Sequence, residues 1–257
     1  MKHTVLITGA SSGIGKAFAE LFAADGCQLV LTARNEVDLL TVQALLEVKY
    51  AASVNVIPLD LSAPNSPEEL FQELQKQGIT VDVLINNAGF GILGAFTETP
   101  LPDELSMIDL HVRNLTHLTK LFLPGMLERK QGGILNVAST AAFQPGPFMA
   151  VYYATKSYVL SFTEALANEL RGTGIRVSAL CPGPTETRFA NRAEVGNSKL
   201  FSSSLMNAKA VAYAGYVGYK EGKTVVIPGF RNRLMAASVR FAPRNLVSMI
   251  VRYLHSE

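Results

Sequence analysis

Thr8-Gly9-Ala10-Ser11-Ser12-Gly13-Ile14-Gly15 decides the reading of this chain. Before it, His3–Thr8 is a short, mostly apolar run with strand character. After it, Ile14, Ala17, Phe18, Leu21 and Phe22 recur at helical spacing as far as Asp25, and Gly26 follows as a stop. A glycine-rich turn between a strand and a helix suits a phosphate. Gly9 permits the sharp turn, Gly13 lets a pyrophosphate approach the backbone, and Gly15 lets the helix pack on the strand. The helix start offers N–H groups without intrahelical partners, together with the positive end of the dipole. Three glycines alone fit a merely tight turn equally well; their place after the first strand favours the phosphate.

The same alternation continues outward. Strands are expected at His3–Thr8, Leu29–Thr32, Asn55–Asp60, Val81–Asn86, Ile134–Ser139, Arg176–Cys181 and Thr224–Ile227. Several are continuous apolar runs, as in strands covered on both faces. Helical stretches lie between them, at Gly13–Asp25, Asp38–Tyr50, Pro67–Gln77, Pro102–Arg129, Val151–Arg171 and Asn207–Glu221. Regular βαβ repetition predicts an α/β fold: one Rossmann-type doubly wound domain over residues 1–257, with about seven parallel strands and helices on both faces. Residues 188–206, rich in Ser, Asn and Ala, are expected to form a lid over a substrate. Residues 230–257 are expected to be a largely helical, basic and apolar extension that Pro243 either starts or breaks.

With 257 residues, 48% of them hydrophobic, the chain buries a large core and is not disordered. The 23 basic and 21 acidic residues give a net charge of +2, no footprint for a nucleic acid. The sum hides a split. From Gly222 to Ser256 stand Lys223, Arg231, Arg233, Arg240, Arg244 and Arg252 with no acid, so the first 221 positions hold 17 basic and 20 acidic residues. Two cysteines, Cys27 and Cys181, make no disulfide framework, and the expected compartment is a reducing cytoplasm. The longest charge-free stretch, Gln131–Thr155, holds too many polar residues and prolines for a membrane span.

Two further places carry chemistry. Strand two ends Thr32-Ala33-Arg34-Asn35, with no acid until Glu36. An acid there would accept from a ribose 2′-OH; Arg34 instead suits a 2′-phosphate, so NADP(H) is expected over NAD(H), unless Arg34 is an ordinary solvated charge. Tyr152 and Lys156 are four apart and share one helix face. Reducing a carbonyl needs a proton at its oxygen, and a nearby cation lowers the phenol pKa from about 10 toward neutrality. Ser139, at the end of strand five, has a hydroxyl to hold the substrate oxygen. Tyr153, three before Lys156, competes with Tyr152 for the role.

Four motifs in order make the sequence resemble the short-chain dehydrogenases/reductases: TGASSGIG at residues 8–15, Asn86-Asn87-Ala88-Gly89, Tyr152 followed by Lys156, and Pro182-Gly183 followed by Thr187. The resemblance is strong to about Thr187 and weak beyond. It implies an oxidoreductase that moves hydride between a nicotinamide cofactor and a carbonyl or alcohol. In its register Tyr152, not Tyr153, is the acid/base, and Lys156 also binds the nicotinamide ribose. It implies a cofactor site from Gly9, Ser11, Ser12, Gly13, Ile14, Gly15, Arg34, Asp60, Leu61, Asn87, Ala88, Gly89, Tyr152, Lys156, Pro182, Gly183, Thr185 and Thr187, and no metal. The slot where many members carry a water-anchoring Asn aligns with His111, while a shifted register offers Asn114. Both remain candidates, and His111 reads equally as a packing residue. A small-molecule substrate with an apolar portion is expected, from Phe143, Phe148, Met149 and Phe189, which read equally as plain core, and so is a homodimer or homotetramer. For the tail, an oligomer or intramolecular contact is expected first, an active-site lid second, and contact with an anionic membrane third. A dinucleotide-binding sensor or scaffold without chemistry is the alternative from another class, and an NAD(H)-dependent alcohol dehydrogenase the alternative within the family.

Overall fold

The computed structural model describes residues 3–189 and 205–255. Strands β1 (Thr4–Thr8), β2 (Gln28–Ala33), β3 (Val54–Pro58), β4 (Val83–Asn86), β5 (Gly132–Val137) and β6 (Ile175–Leu180) lie in one sheet. β7 (Thr185–Glu186) and β8 (Met206–Asn207) form a separate short parallel pair, and β9 (Val225–Val226) completes the large sheet. Its order is β3-β2-β1-β4-β5-β6-β9, with every pairing parallel. All seven expected strands are present. The order reverses between β1 and β4, which opens a crevice beyond their carboxyl ends.

The continuous apolar runs have a simple cause. Along β1, Val5 and Ile7 join Phe18, Leu31 and Leu39 on one face of the sheet, while Leu6 joins Leu70, Leu74 and Phe122 on the other. Side chains alternate, so a strand covered twice must be apolar at every position. The first face is covered by α1 (Gly13–Ala24) and α2 (Glu36–Tyr50). The second is covered by α3 (Ser66–Lys76) and by later helices described next.

The stretch Pro102–Arg129, expected as one helix, is three pieces: α4 (Leu101–Ile108), a π-helical turn (Asp109–Asn114) and α5 (Leu115–Arg129). α6 (Ala150–Glu169) packs beside α5 on the second face, and α7 (Ala208–Lys220) beside α1 on the first. The tail forms α8 (Phe230–Ser238) and α9 (Arg244–His255), and Pro243 starts the latter, its carbonyl accepting from the Leu246 and Val247 N–H groups. Val247 and Val251 pack with Met149 and Tyr153, so the tail folds back onto its own domain. Most of the expected lid, residues 190–204, lies outside the described residues. No helix among the described residues is long and apolar enough to cross a membrane.

Candidate active site

A cavity of about 1010 Å3 runs from the glycine loop, past the carboxyl ends of β4 and β5, to the tail. Gly9, Ser11, Ser12, Gly13 and Ile14 line its start. Ser12 precedes α1 in extended backbone without a side-chain cap, and no acid stands in the first turn, so the helix N–H groups face the cavity uncapped. Gly13 has φ +54°, and a Cβ there would come within 2.9 Å of the Thr187 side chain. Gly15 faces inward: a Cβ would sit 2.3 Å from the Gly9 carbonyl oxygen. The Asn87 amide donates to the Thr8 and Gly9 carbonyls at 2.8 and 3.1 Å, and the Thr8 hydroxyl accepts from the Asn87 and Ala88 N–H groups, both at 2.9 Å. The loop is thereby tied to β4, and its cradle fits a dinucleotide pyrophosphate. Asn86 turns away and donates to Asn136 at 2.9 Å, a brace inside the sheet.

At the far end Arg34 is exposed and lines the rim beside Asn35 and Asp38. Asp38 is the acid that reaches this rim, and no motif marks it. It pairs with Arg188, whose hydrogen bond holds the carboxyl below its ordinary range. Asp60 and Leu61 line the next stretch of wall; Asp60 also accepts from the Ser62 N–H at 3.0 Å, closing a tight turn. Ala88, Gly89, Pro182, Gly183 and Thr185 complete this wall, and the Thr185 hydroxyl donates to the Gly183 carbonyl at 2.8 Å.

Ser139 follows β5, and Tyr152 and Lys156 lie one turn apart near the start of α6. The Ser139 hydroxyl is close enough to the Tyr152 phenol to pull its pKa down, and it donates to the Pro182 carbonyl at 3.4 Å. Ser139 Oγ also accepts from the Ala141 N–H at 3.1 Å. Lys156 Nζ donates to the Val137 carbonyl at 2.9 Å and stands 5.7 Å from the Tyr152 ring centroid. The structure therefore gathers all three side chains on one cavity wall. Their electrostatics depart from the expectation. Tyr152 is half-buried on the cavity wall, and burial pushes its phenol up to about 12 against the pull of Ser139. Burial lowers Lys156 to about 8. Desolvation of both groups outweighs the pull of an ammonium that is held by a carbonyl beneath the ring. Tyr153 turns away, and its hydroxyl bonds His255 at 3.1 Å.

The π turn sends the two relay candidates to different places. His111 is 1% exposed, with its ring centroid 6.0 Å from that of Tyr152. Its Nε2 accepts from the Phe90 N–H at 3.1 Å, so the neutral ring carries its proton on Nδ1 and donates to Thr155 Oγ1 at 3.0 Å. Thr155 in turn donates to the Tyr152 carbonyl at 2.8 Å. His111 thus clamps the start of α6 to the segment after Gly89. Asn114 does not join the catalytic cluster: its amide donates to the Leu61 and Ala63 carbonyls at 2.7 and 2.9 Å, bracing the wall around Asp60.

The substrate end is where sequence reasoning missed most. Phe90, Met149 and Phe189 line it as apolar walls, and so do Met235, Val239, Ala242, Val247, Ile250, Val251 and Leu254 from the tail. Of the intramolecular, lid and membrane readings, the first two merge: the tail is a wall of the cavity. It is fastened by His255, whose Nδ1 donates to the Pro147 carbonyl at 2.7 Å while Nε2 accepts from the Tyr153 hydroxyl. Gly183 takes part too, since a Cβ there would come within 2.7 Å of Asn232 on α8. Nothing in the sequence marks contacts between residues so far apart.

Comparison with known proteins supports the family and the fold. The family model described as short chain dehydrogenase matches residues 3–197. A putative ketoacyl reductase of the monensin polyketide synthase from Streptomyces virginiae is 40% identical over 207 residues, 79% of this chain and 78% of that protein. Among solved structures, a short-chain dehydrogenase from Sphingobium yanoikuyae in complex with NADPH has a TM-score of 0.84 at 32% identity, covering 95% of this chain and 94% of the other. A Burkholderia phymatum short-chain dehydrogenase/reductase in complex with NAD has a TM-score of 0.82 at 29% identity, covering 93% and 92%.

Proposed function

The chain belongs to the short-chain dehydrogenase family, and on that premise we propose that this oxidoreductase uses NADP(H) to interconvert a carbonyl and an alcohol through Ser139, Tyr152 and Lys156. One observation carries the reading. Ser139 and Tyr152 stand side by side, with Lys156 beneath the ring, on the wall of a cavity that starts at the uncapped end of α1.

When bound, the nicotinamide supplies or accepts the hydride. The chain's residues do the rest. The Ser139 hydroxyl, which in this structure donates to the Pro182 carbonyl at 3.4 Å, and the Tyr152 phenol line the same wall, and a carbonyl oxygen bound between them accepts from both. Negative charge grows on that oxygen during reduction, and Tyr152 gives it a proton. The phenolate left behind is stabilised by the Lys156 ammonium, 5.7 Å from the ring. Lys156 donates one N–H hydrogen bond to the Val137 carbonyl and keeps two more N–H donors for the ribose. His111 and Thr155 keep the first turn of α6 in place.

Two features support the preference for NADP(H). Arg34 stands at the adenosine end of the cavity, and Asp38, the acid that would repel a 2′-phosphate, is neutralised by Arg188. The apolar far end suits a substrate with a hydrophobic body.

The test uses Tyr152→Phe and Arg34→Ala. Tyr152→Phe loses turnover with NADPH across a panel of ketones and aldehydes yet binds NADPH as before; near-normal turnover would refute the assignment. Arg34→Ala raises the NADPH Kd far more than the NADH Kd, and equal changes would refute the cofactor preference.

A further inference from the structure

Helix α9 has more apolar surface than the described residues of its own domain cover. At about 100° per residue, Val247, Val251, Leu254 and His255 share one side, which faces the cavity and Tyr153. Leu246, Met249, Ile250 and Tyr253 fill the adjoining arc, about 100° wide, and are 45%, 61%, 51% and 64% exposed. Asn245 and Arg252 border that arc. Just before it, the turn between α8 and α9 carries Phe241, 89% exposed, between Arg240 and Arg244. No acid occurs anywhere from Gly222 to Ser256.

We propose that this face of α9, with the α8–α9 turn, docks on an anionic lipid surface, from which an apolar carbonyl substrate enters the cavity. Charge decides between the possible occupants. A second copy would join by a two-fold axis, setting the patch against itself and arginine against arginine, with no acid between Gly222 and Ser256 to pair them. An anionic lipid surface neutralises the same arginines while its acyl region takes up the exposed side chains. Position supplies the route, because Ile250 and Met235 are both exposed and part of the cavity wall. The route rests on the carbonyl-reducing function proposed above; the docking does not, and it is read without turnover.

The experiment is flotation of the full-length protein with phosphatidylcholine vesicles, with and without phosphatidylglycerol. With Arg240, Arg244 and Arg252 acting at the surface, partition is expected to be about a hundredfold stronger into the anionic vesicles, and to weaken with salt. The double variant Phe241→Glu/Met249→Glu is expected to stay in solution, with an unchanged melting temperature and unchanged turnover of a small soluble ketone. Should those glutamates lower the melting temperature, Arg240→Gln/Arg244→Gln carries the test, with an expected loss of about thirtyfold. Equal partition into both vesicle types, no partition, or variants that float like the parent would overturn the proposal. So would light scattering that shows a dimer which the double variant converts to monomer.

Discussion

Replacing His255 with Ala tests whether the tail is a working wall of the site. The change removes the Nδ1–H donor to the Pro147 carbonyl and the Nε2 acceptor of the Tyr153 hydroxyl. Each neutral hydrogen bond contributes roughly 1 kcal/mol, and a hydroxyl left buried without a partner costs about 1–3 kcal/mol more. Tyr153 is 5% exposed, so water does not readily replace the imidazole. Burial of Val247 and Val251 contributes about 1.5–3 kcal/mol each, so the histidine supplies a comparable share of what holds α9 down. Losing about 3 kcal/mol raises the undocked population of α9 roughly a hundredfold. Hydrogen exchange reads this directly: amides of residues 248–255 lose protection while those of β1 keep theirs. In turnover, KM for a bulky apolar ketone rises while kcat for a small one holds. Acid should act in the same direction. Burial holds His255 below its ordinary 6.5, so its contribution is complete above about pH 6.5 and is lost as pH falls through the lower folded value. Unchanged protection of α9 in His255→Ala, or equal loss in α9 and β1, would refute the reasoning.

Three further outcomes follow from the geometry. With Lys156 lowered to about 8 and Tyr152 raised to about 12, the cation is lost first as pH rises, so kcat/KM for carbonyl reduction should fall above about pH 8; a profile flat to pH 10 contradicts this. The depressed lysine also predicts that folding stability rises between about pH 8 and 10.5, since the unfolded chain there binds a proton that the fold does not. Asn114→Ala should raise the cofactor Kd by roughly tenfold, the worth of about 1–2 kcal/mol of lost hydrogen bonding, and leave kcat unchanged; a fall in kcat at constant Kd would return Asn114 to the catalytic cluster. Gly15→Ala forces a Cβ to within 2.3 Å of a backbone oxygen, so both cofactor affinity and melting temperature should drop; titration calorimetry with an unaltered Kd would contradict the packing argument.

What the sequence made legible was local. The central strands β1, β4, β5 and β6 announced themselves because both of their faces are covered, and the motifs at residues 8–15, 86–89 and 152–156 each sit within one turn or one strand end. The features that escaped join residues far apart in the chain. Asp38 meets Arg188 across 150 positions, and Tyr153 meets His255 across 102. Neither partner carries a mark of the other, since an exposed Arg and a helix-end His are ordinary until the fold brings them to one cavity.

The π turn shows why the fourth catalytic position stayed open from sequence. In a regular α-helix, His111 and Asn114 would lie only about 60° apart and compete for one slot. The wider turn at Asp109–Asn114 separates them, and the two side chains end at opposite tasks. His111 meets the segment after Gly89 and the first turn of α6; Asn114 meets the loop after β3. One irregular turn thus braces the wall expected at the adenosine end and the wall that carries Tyr152. A substitution that restores regular α-helix there should disturb cofactor affinity and turnover together, whereas a change to His111 or Asn114 alone separates them.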